Sequence, residues 1–139
     1  MPVATPYLFF PGTCREAFTA YAEILGIAAP IIVGFGEVPA PEGAAPDAVM
    51  HAALDLGEGG WIYASDDVST PPGPPMAGCN VHLSFDRHDD AEEAFARLSE
   101  GGAVRMPFAP AFWSPGFGAC TDRWGTRWMI SCEDGPAGD

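Results

Sequence analysis

Apolar and polar positions along the chain fall into two successions of the same order. Thr5 to Phe10 is a β-branched and aromatic run stopped by Pro11-Gly12, which predicts a buried strand and a turn. Thr13-Cys14-Arg15-Glu16 has the capping-box pattern, a hydroxyl for the third helical amide and a glutamate reaching back. The helix behind it carries Phe18, Tyr21, Ala22 and Leu25 at i, i+3, i+4 and i+7, one apolar face, and Gly26 closes it. Ile31 to Phe35 predicts a second strand, and Pro39 to Pro46 a loop. Val49 to Leu56 is a third strand. Alternation sorts Val49, His51, Ala53 and Asp55 to one face and Met50, Ala52, Leu54 and Leu56 to the other. Gly57 to Gly60 is a hairpin turn into a fourth strand, Trp61 to Ser65.

The second succession opens at Asn80 to Phe85. Asp90-Ala91-Glu92-Glu93 is a second cap, and Ala91, Ala94, Phe95 and Leu98 repeat the apolar helical face before Gly101-Gly102. Val104 to Phe108 is the next strand, and residues 109–116 form an aromatic-rich turn. Phe117 to Thr121 and Trp128 to Cys132 flank a hairpin turn at Asp122 to Gly125. The tail from Asp134 reads as a frayed end.

The two halves echo one another. Glu16-Ala17-Phe18 recurs as Glu93-Ala94-Phe95, and Asp55 before Trp61 recurs as Asp122 before Trp128. The expected fold class is therefore α+β: two βαβββ modules in tandem, with curved mixed sheets around a cleft and helices outside. The chain is read as one domain over 1–139. Module one spans about 5–66, a proline-rich connector 67–78, and module two about 79–133. The alternative for the connector is a loop that gates a site. Alternation packs Leu8, Phe10, Val81, Leu83 and Phe85 under the helices and turns Tyr7, Phe9, His82 and Ser84 to the cleft.

Charge changes the picture more than size does. The formal net charge is −13, and the six basic residues are all arginines. Such a surface repels phosphate backbones, which argues against nucleic acid as a partner; it attracts cationic small molecules or, in the simpler reading, only keeps the protein soluble. No apolar run reaches the roughly 20 residues of a membrane span. The opening Met-Pro-Val-Ala-Thr-Pro lacks the basic and apolar regions of a secretory signal, so cytoplasmic residence is expected. Cys14, Cys79, Cys120 and Cys132 show neither CxxC nor zinc spacing and read as free thiols, the last two as core residues.

Cys14-Arg15-Glu16-Ala17-Phe18 with Tyr21 and Gly26, Met50-His51-Ala52, Phe112-Trp113, Thr121 to Gly125 and Trp128-Met129-Ile130 together resemble the PhnB-like branch of the vicinal-oxygen-chelate superfamily. The resemblance covers about Pro6 to Glu133. That superfamily includes glyoxalase I, bleomycin-resistance proteins, fosfomycin-resistance enzymes and extradiol dioxygenases. One fold hosts many activities, so the resemblance implies fold before reaction. It also implies a homodimer.

In metal-using relatives one divalent ion is held by a His or Glu from the first and last strands of each module. By that pattern His82 falls at a ligand position. Tyr7 is its repeat partner, Met129 stands where a glutamate is expected, and Trp61 to Tyr63 offers no carboxylate. Glu133 lies four residues past Met129, roughly 13 Å along a strand. No cofactor is expected outright; a divalent metal at His82 is the open alternative.

Tyr7, Phe9, Tyr63, His82, Phe112, Trp113, Trp128 and Met129 are the residues expected to line a ligand cleft for a flat or cationic small molecule. His51 and Asp55 share a strand face and could form an acid–base pair, but a solvated surface pair is the commoner outcome of such a spacing. No dinucleotide loop, nucleophile elbow or methyl-donor loop is present. Two functions stand. One is a metal-free binding protein of the bleomycin-resistance type. The other is a metal-dependent lyase or isomerase using His82.

Overall fold

The computed structural model describes residues 1–36, 39–69 and 71–136. The described chain divides into two compact units, Met1–Pro75 and Met76–Asp139. The first contains β1 (Tyr7–Phe10), α1 (Cys14–Leu25), β2 (Ile31–Gly34), β3 (Val49–Gly57) and β4 (Gly60–Asp66). The second contains β5 (Val81–Phe85), α2 (His88–Ser99), β6 (Ala103–Ala111), β7 (Ser114–Thr121) and β8 (Arg127–Cys132). Each unit is the expected βαβββ motif.

The two sheets share one topology. The first runs β1-β4-β3-β2 and the second β5-β8-β7-β6, with β1 parallel to β4 and β5 parallel to β8. Tyr7 pairs with Tyr63, and His82 with Met129. Tyr7 and His82 are thus repeat equivalents, as are Tyr63 and Met129.

In the first unit, α1 buries Cys14, Ala17, Phe18, Tyr21 and Ala22. The sheet face beneath it carries Leu8, Phe10, Leu54, Ile62 and Ala64, all buried. Leu25, expected on the helix's apolar face, is half-buried. Val49 also joins the core, against its expected sorting with His51. The register slips between Val33, opposite His51, and Gly34, opposite Val49. One extra β3 residue there turns Val49 to the helix side.

The capping box at Thr13 is not made. Thr13 Oγ1 is buried without a hydrogen-bond partner among the described residues. The Cys14 amide donates instead to Asp66 Oδ1 at 3.0 Å, and the Val49 amide donates to Asp66 Oδ2 at 2.8 Å. A buried carboxylate at a helix N-terminus is a stronger acceptor for these amides than a neutral hydroxyl. At the other end Gly26 takes the expected left-handed turn, with φ 65°.

In the second unit, α2 starts at His88, two residues ahead of the cap expected at Asp90. Asp89 and Asp90 lie in its first turn, where their charge complements the helix dipole. Ala91, Ala94, Phe95 and Leu98 are buried as expected. The aromatic-rich turn is shorter than expected: β6 runs to Ala111, β7 begins at Ser114, and only Phe112 and Trp113 remain between them. Pro107 and Pro110 fit inside β6 because it is an edge strand with register shifts at Met106, Ala109 and Ala111.

Residues 67–78 carry no regular element among those described. The Asp67 carboxylate organises the start of this segment. It accepts from the Ser69 amide at 3.0 Å, the Ser69 hydroxyl, and the Gly73 amide at 2.6 Å. Those bonds, the Ser69 hydroxyl first, hold its carboxyl below the usual range. Asp134 and the Glu133 amide are tied back to the β5 end through backbone bonds to Asp86 and Phe85. The tail beyond 136, expected to fray, lies outside the described residues.

Candidate functional site

Strand alternation gives each sheet a face opposite its helix. In the first unit, strand register sets Tyr7 and Phe9 of β1, Trp61 and Tyr63 of β4, His51 and Asp55 of β3, and Val33 and Ile31 of β2 on that face. Five of these side chains form a continuous row of rings. Ring centroids lie 5.2 Å apart for Phe9 and Tyr7, 6.4 Å for Tyr7 and Tyr63, and 6.2 Å for Tyr63 and Trp61. His51 sits in the angle of the row, 5.8 Å from Tyr7 and 5.1 Å from Tyr63.

His51 Nδ1 and the Tyr7 hydroxyl are 3.3 Å apart, a hydrogen bond in which the imidazole tautomer decides which of the two groups donates. The structure brings His51 to Tyr7 rather than to Asp55. Asp55 Oδ1 accepts the Gly57 amide at 2.9 Å, which stabilises the β3–β4 turn. The turn itself holds Glu58 and Gly59 at positive φ, the geometry of a tight hairpin. The possible acid–base pair of His51 and Asp55 is not formed: their side chains bond elsewhere.

The corresponding face of the second unit is composed differently. His82 and Ser84 of β5, Arg127, Met129 and Ser131 of β8, and Phe117, Ala119 and Thr121 of β7 share it. His82 is exposed, and its Nε2 lies 2.8 Å from Ser131 Oγ. Position by position, His82 replaces Tyr7, Ser84 replaces Phe9, Met129 replaces Tyr63, Phe117 replaces His51 and Arg127 replaces Trp61, so the expected recurrence of Asp55 and Trp61 as Asp122 and Trp128 is corrected by one residue, to Thr121 and Arg127.

The expected cleft residues fare unevenly. Tyr7 is 43% exposed and Phe9 67%, and both join the ring row with Tyr63. Met129 is half-buried beside His82. Phe112, 97% exposed, and Trp113 occupy the β6–β7 turn, packed edge to face at 4.7 Å. Trp128 is a correction: it is fully buried and offers a ligand no surface. It has the parity of Ile130 and Cys132, on the helix side of β8. Its indole N–H donates to Asp122 Oδ2 at 2.8 Å, while Asp122 Oδ1 accepts the Trp124 and Thr126 amides. That carboxylate joins the β7–β8 turn to the core. Two members of the ring row, His51 and Trp61, were absent from the expected set. The strand parity that selected Tyr63 also selects Trp61, and the β3 alternation places His51 beside it.

A divalent ion of the kind implied by the resemblance does not fit these side chains. The four positions concerned carry Tyr7, Tyr63, His82 and Met129, one imidazole and no carboxylate. His82 Nε2 is already hydrogen-bonded to Ser131 Oγ at 2.8 Å. Among the described residues no group of three or more His, Cys, Asp or Glu side chains is gathered closely enough to hold a metal ion.

The family model for the Glyoxalase/Bleomycin resistance protein/Dioxygenase superfamily matches residues 6–130. The chain belongs to this superfamily. It is 32% identical to the protein YjdN of Escherichia coli K12, over 94% of this chain and 95% of that one. Among solved structures it is similar to protein PA1353 of Pseudomonas aeruginosa. There the identity is 40% and the TM-score 0.82, over 96% of this chain and 98% of that one. A PhnB protein of Bacillus cereus, described as a putative 3-demethylubiquinone-9 3-methyltransferase, superposes with a TM-score of 0.73 at 21% identity. The match covers 94% of this chain and 99% of that one, a likeness of fold alone. The tandem βαβββ reading holds in these comparisons, and the likeness to a PhnB protein holds as one of fold.

Proposed function

We propose that this superfamily member is a small-molecule-binding protein whose ligand rests on the ring row of the first unit, with no divalent ion held at the superfamily's ligand positions. The observation that carries the reading is the set Tyr7, Tyr63, His82 and Met129. Two phenols and a thioether are poor ligands for a hard or borderline divalent ion at neutral pH. The exposed rings of Tyr7 and Phe9 in the first unit are suited to stacking on a flat molecule. The proposal includes cytoplasmic residence and a homodimer. No helix of the described residues is long and apolar enough to cross a membrane.

Elemental analysis of untagged protein tests the metal half, before and after dialysis against Zn, Ni, Mn and Fe salts. The expected result is far less than one retained ion per chain. About one ion per chain, lost in His82→Ala, would establish the alternative, a metal-dependent enzyme of the lyase or isomerase type. His82 would then be one ligand and Ser131 its displaced partner.

A further inference from the structure

We propose that the ring row of the first unit selects an organic cation, a quaternary ammonium or protonated amine bearing a flat group. This inference rests on the small-molecule reading above and names its ligand class. Three observations carry it. The first is geometric: Phe9, Tyr7, Tyr63 and Trp61 are joined ring to ring across two adjacent strands. A cation on that face lies within reach of several ring quadrupoles at once, the range of cation–π attraction being about 6 Å to a centroid.

The second is charge. Residues 1–75 contain nine carboxylates against a single arginine. That arginine, Arg15, is exposed in the first turn of α1, and α1 covers the opposite face of the sheet. Among the described residues the one charged neighbour on the ring-face strands is Asp55, directly across the strand pair from Trp61 and exposed. No lysine or arginine of the unit competes for the rings.

The third is the contrast built into the repeat. In the second unit Arg127 stands at the position of Trp61, and Thr121 stands at the position of Asp55. The same backbone therefore presents rings and a carboxylate in one unit and a guanidinium in the other. The second face repels the ligand that the first attracts, so the preference belongs to side chains and not to the fold. His51 acts here as a positioning residue. Its hydrogen bond to Tyr7 sets the phenol's orientation.

The test uses the full chain with benzyltrimethylammonium as the cation, benzyl alcohol as the neutral control and benzoate as the anion, at matched ionic strength. Binding is read from amide and aromatic NMR shifts. The cation should perturb Tyr7, Trp61 and Tyr63, with an affinity at least about tenfold above the other two probes. Trp61→Arg copies the second unit's own residue and should abolish the effect. Trp61→Phe should retain most of it, and a normal melting temperature for both separates lost binding from lost folding. Equal perturbation of the same residues by benzyl alcohol overturns the cation preference while leaving a small-molecule site in place. No perturbation there by any probe overturns both readings.

Discussion

Cys14 shows how far one buried group departs from its usual chemistry. Its side chain has no exposed surface. Burial, and then the nearby Asp66 carboxylate, push its thiol from 9.0 up to about 12. The folded protein keeps a proton that the unfolded chain releases above a pH of about 9, so the sign is fixed. This contribution to stability is whole below that pH and is lost as pH rises towards 12. Cys14→Ala should flatten the alkaline limb of a stability–pH curve, whatever its effect near neutrality. Burial raises Cys120 in the same direction. A thiol reagent at mildly alkaline pH should therefore modify Cys79, the exposed cysteine, and spare the other three until the chain unfolds. Rapid modification of two or more thiols in folded protein would contradict this. The free, buried state of Cys120 and Cys132 was legible because both sit in apolar strand runs. Trp128 was misread for a related reason. Its aromatic character suggested a ligand surface, but its strand parity and need for an indole acceptor made it a core residue bonded to Asp122.

At the scale of elements, helical periodicity was the most informative signal. It selected Ala91, Ala94, Phe95 and Leu98 without error, because burial on a helix follows from spacing alone. The caps were not legible in the same way. The acceptor for the first amide of α1 is Asp66, 52 residues distant, so no local pattern reveals it. Close approach between elements is equally hidden. Gly118 lies where β7 passes beneath α2, and a Cβ there would come within 2.8 Å of Phe95 Cε2 and 3.0 Å of the Phe108 backbone. The Phe95 ring is also packed against Phe108 at 5.8 Å, which restricts its retreat. Gly118→Ala should cost about 1–3 kcal/mol, seen as a lower denaturant midpoint with an unchanged slope. Gly34→Ala is the control. Its nearest neighbour would be 3.9 Å away, so its midpoint should shift by less than about 0.5 kcal/mol in equivalent stability. Equal losses at the two sites would refute the packing argument.

At the scale of the whole molecule, apolar exposure and net charge pull in opposite directions. Edge strand β2 exposes Ile31 and Val33, and edge strand β6 exposes Val104 and Met106. Unpaired edges with apolar side chains favour association with a second chain. Each chain also carries a formal charge of −13, so two copies repel at any separation that the solvent does not screen. Screening reaches about 30 Å at 0.01 M salt, about 10 Å at 0.1 M and about 3 Å at 1 M. The proposed homodimer should therefore strengthen with salt, unlike an assembly held by ion pairs. Sedimentation equilibrium across that salt range should show the mass moving from near 14.6 kDa towards twice that value. A constant 14.6 kDa throughout would remove the homodimer, and a dimer that dissociates as salt rises would assign its interface to charge pairs. Of these three outcomes, association that grows with salt is the one that the proposed homodimer predicts from its net charge and exposed apolar side chains.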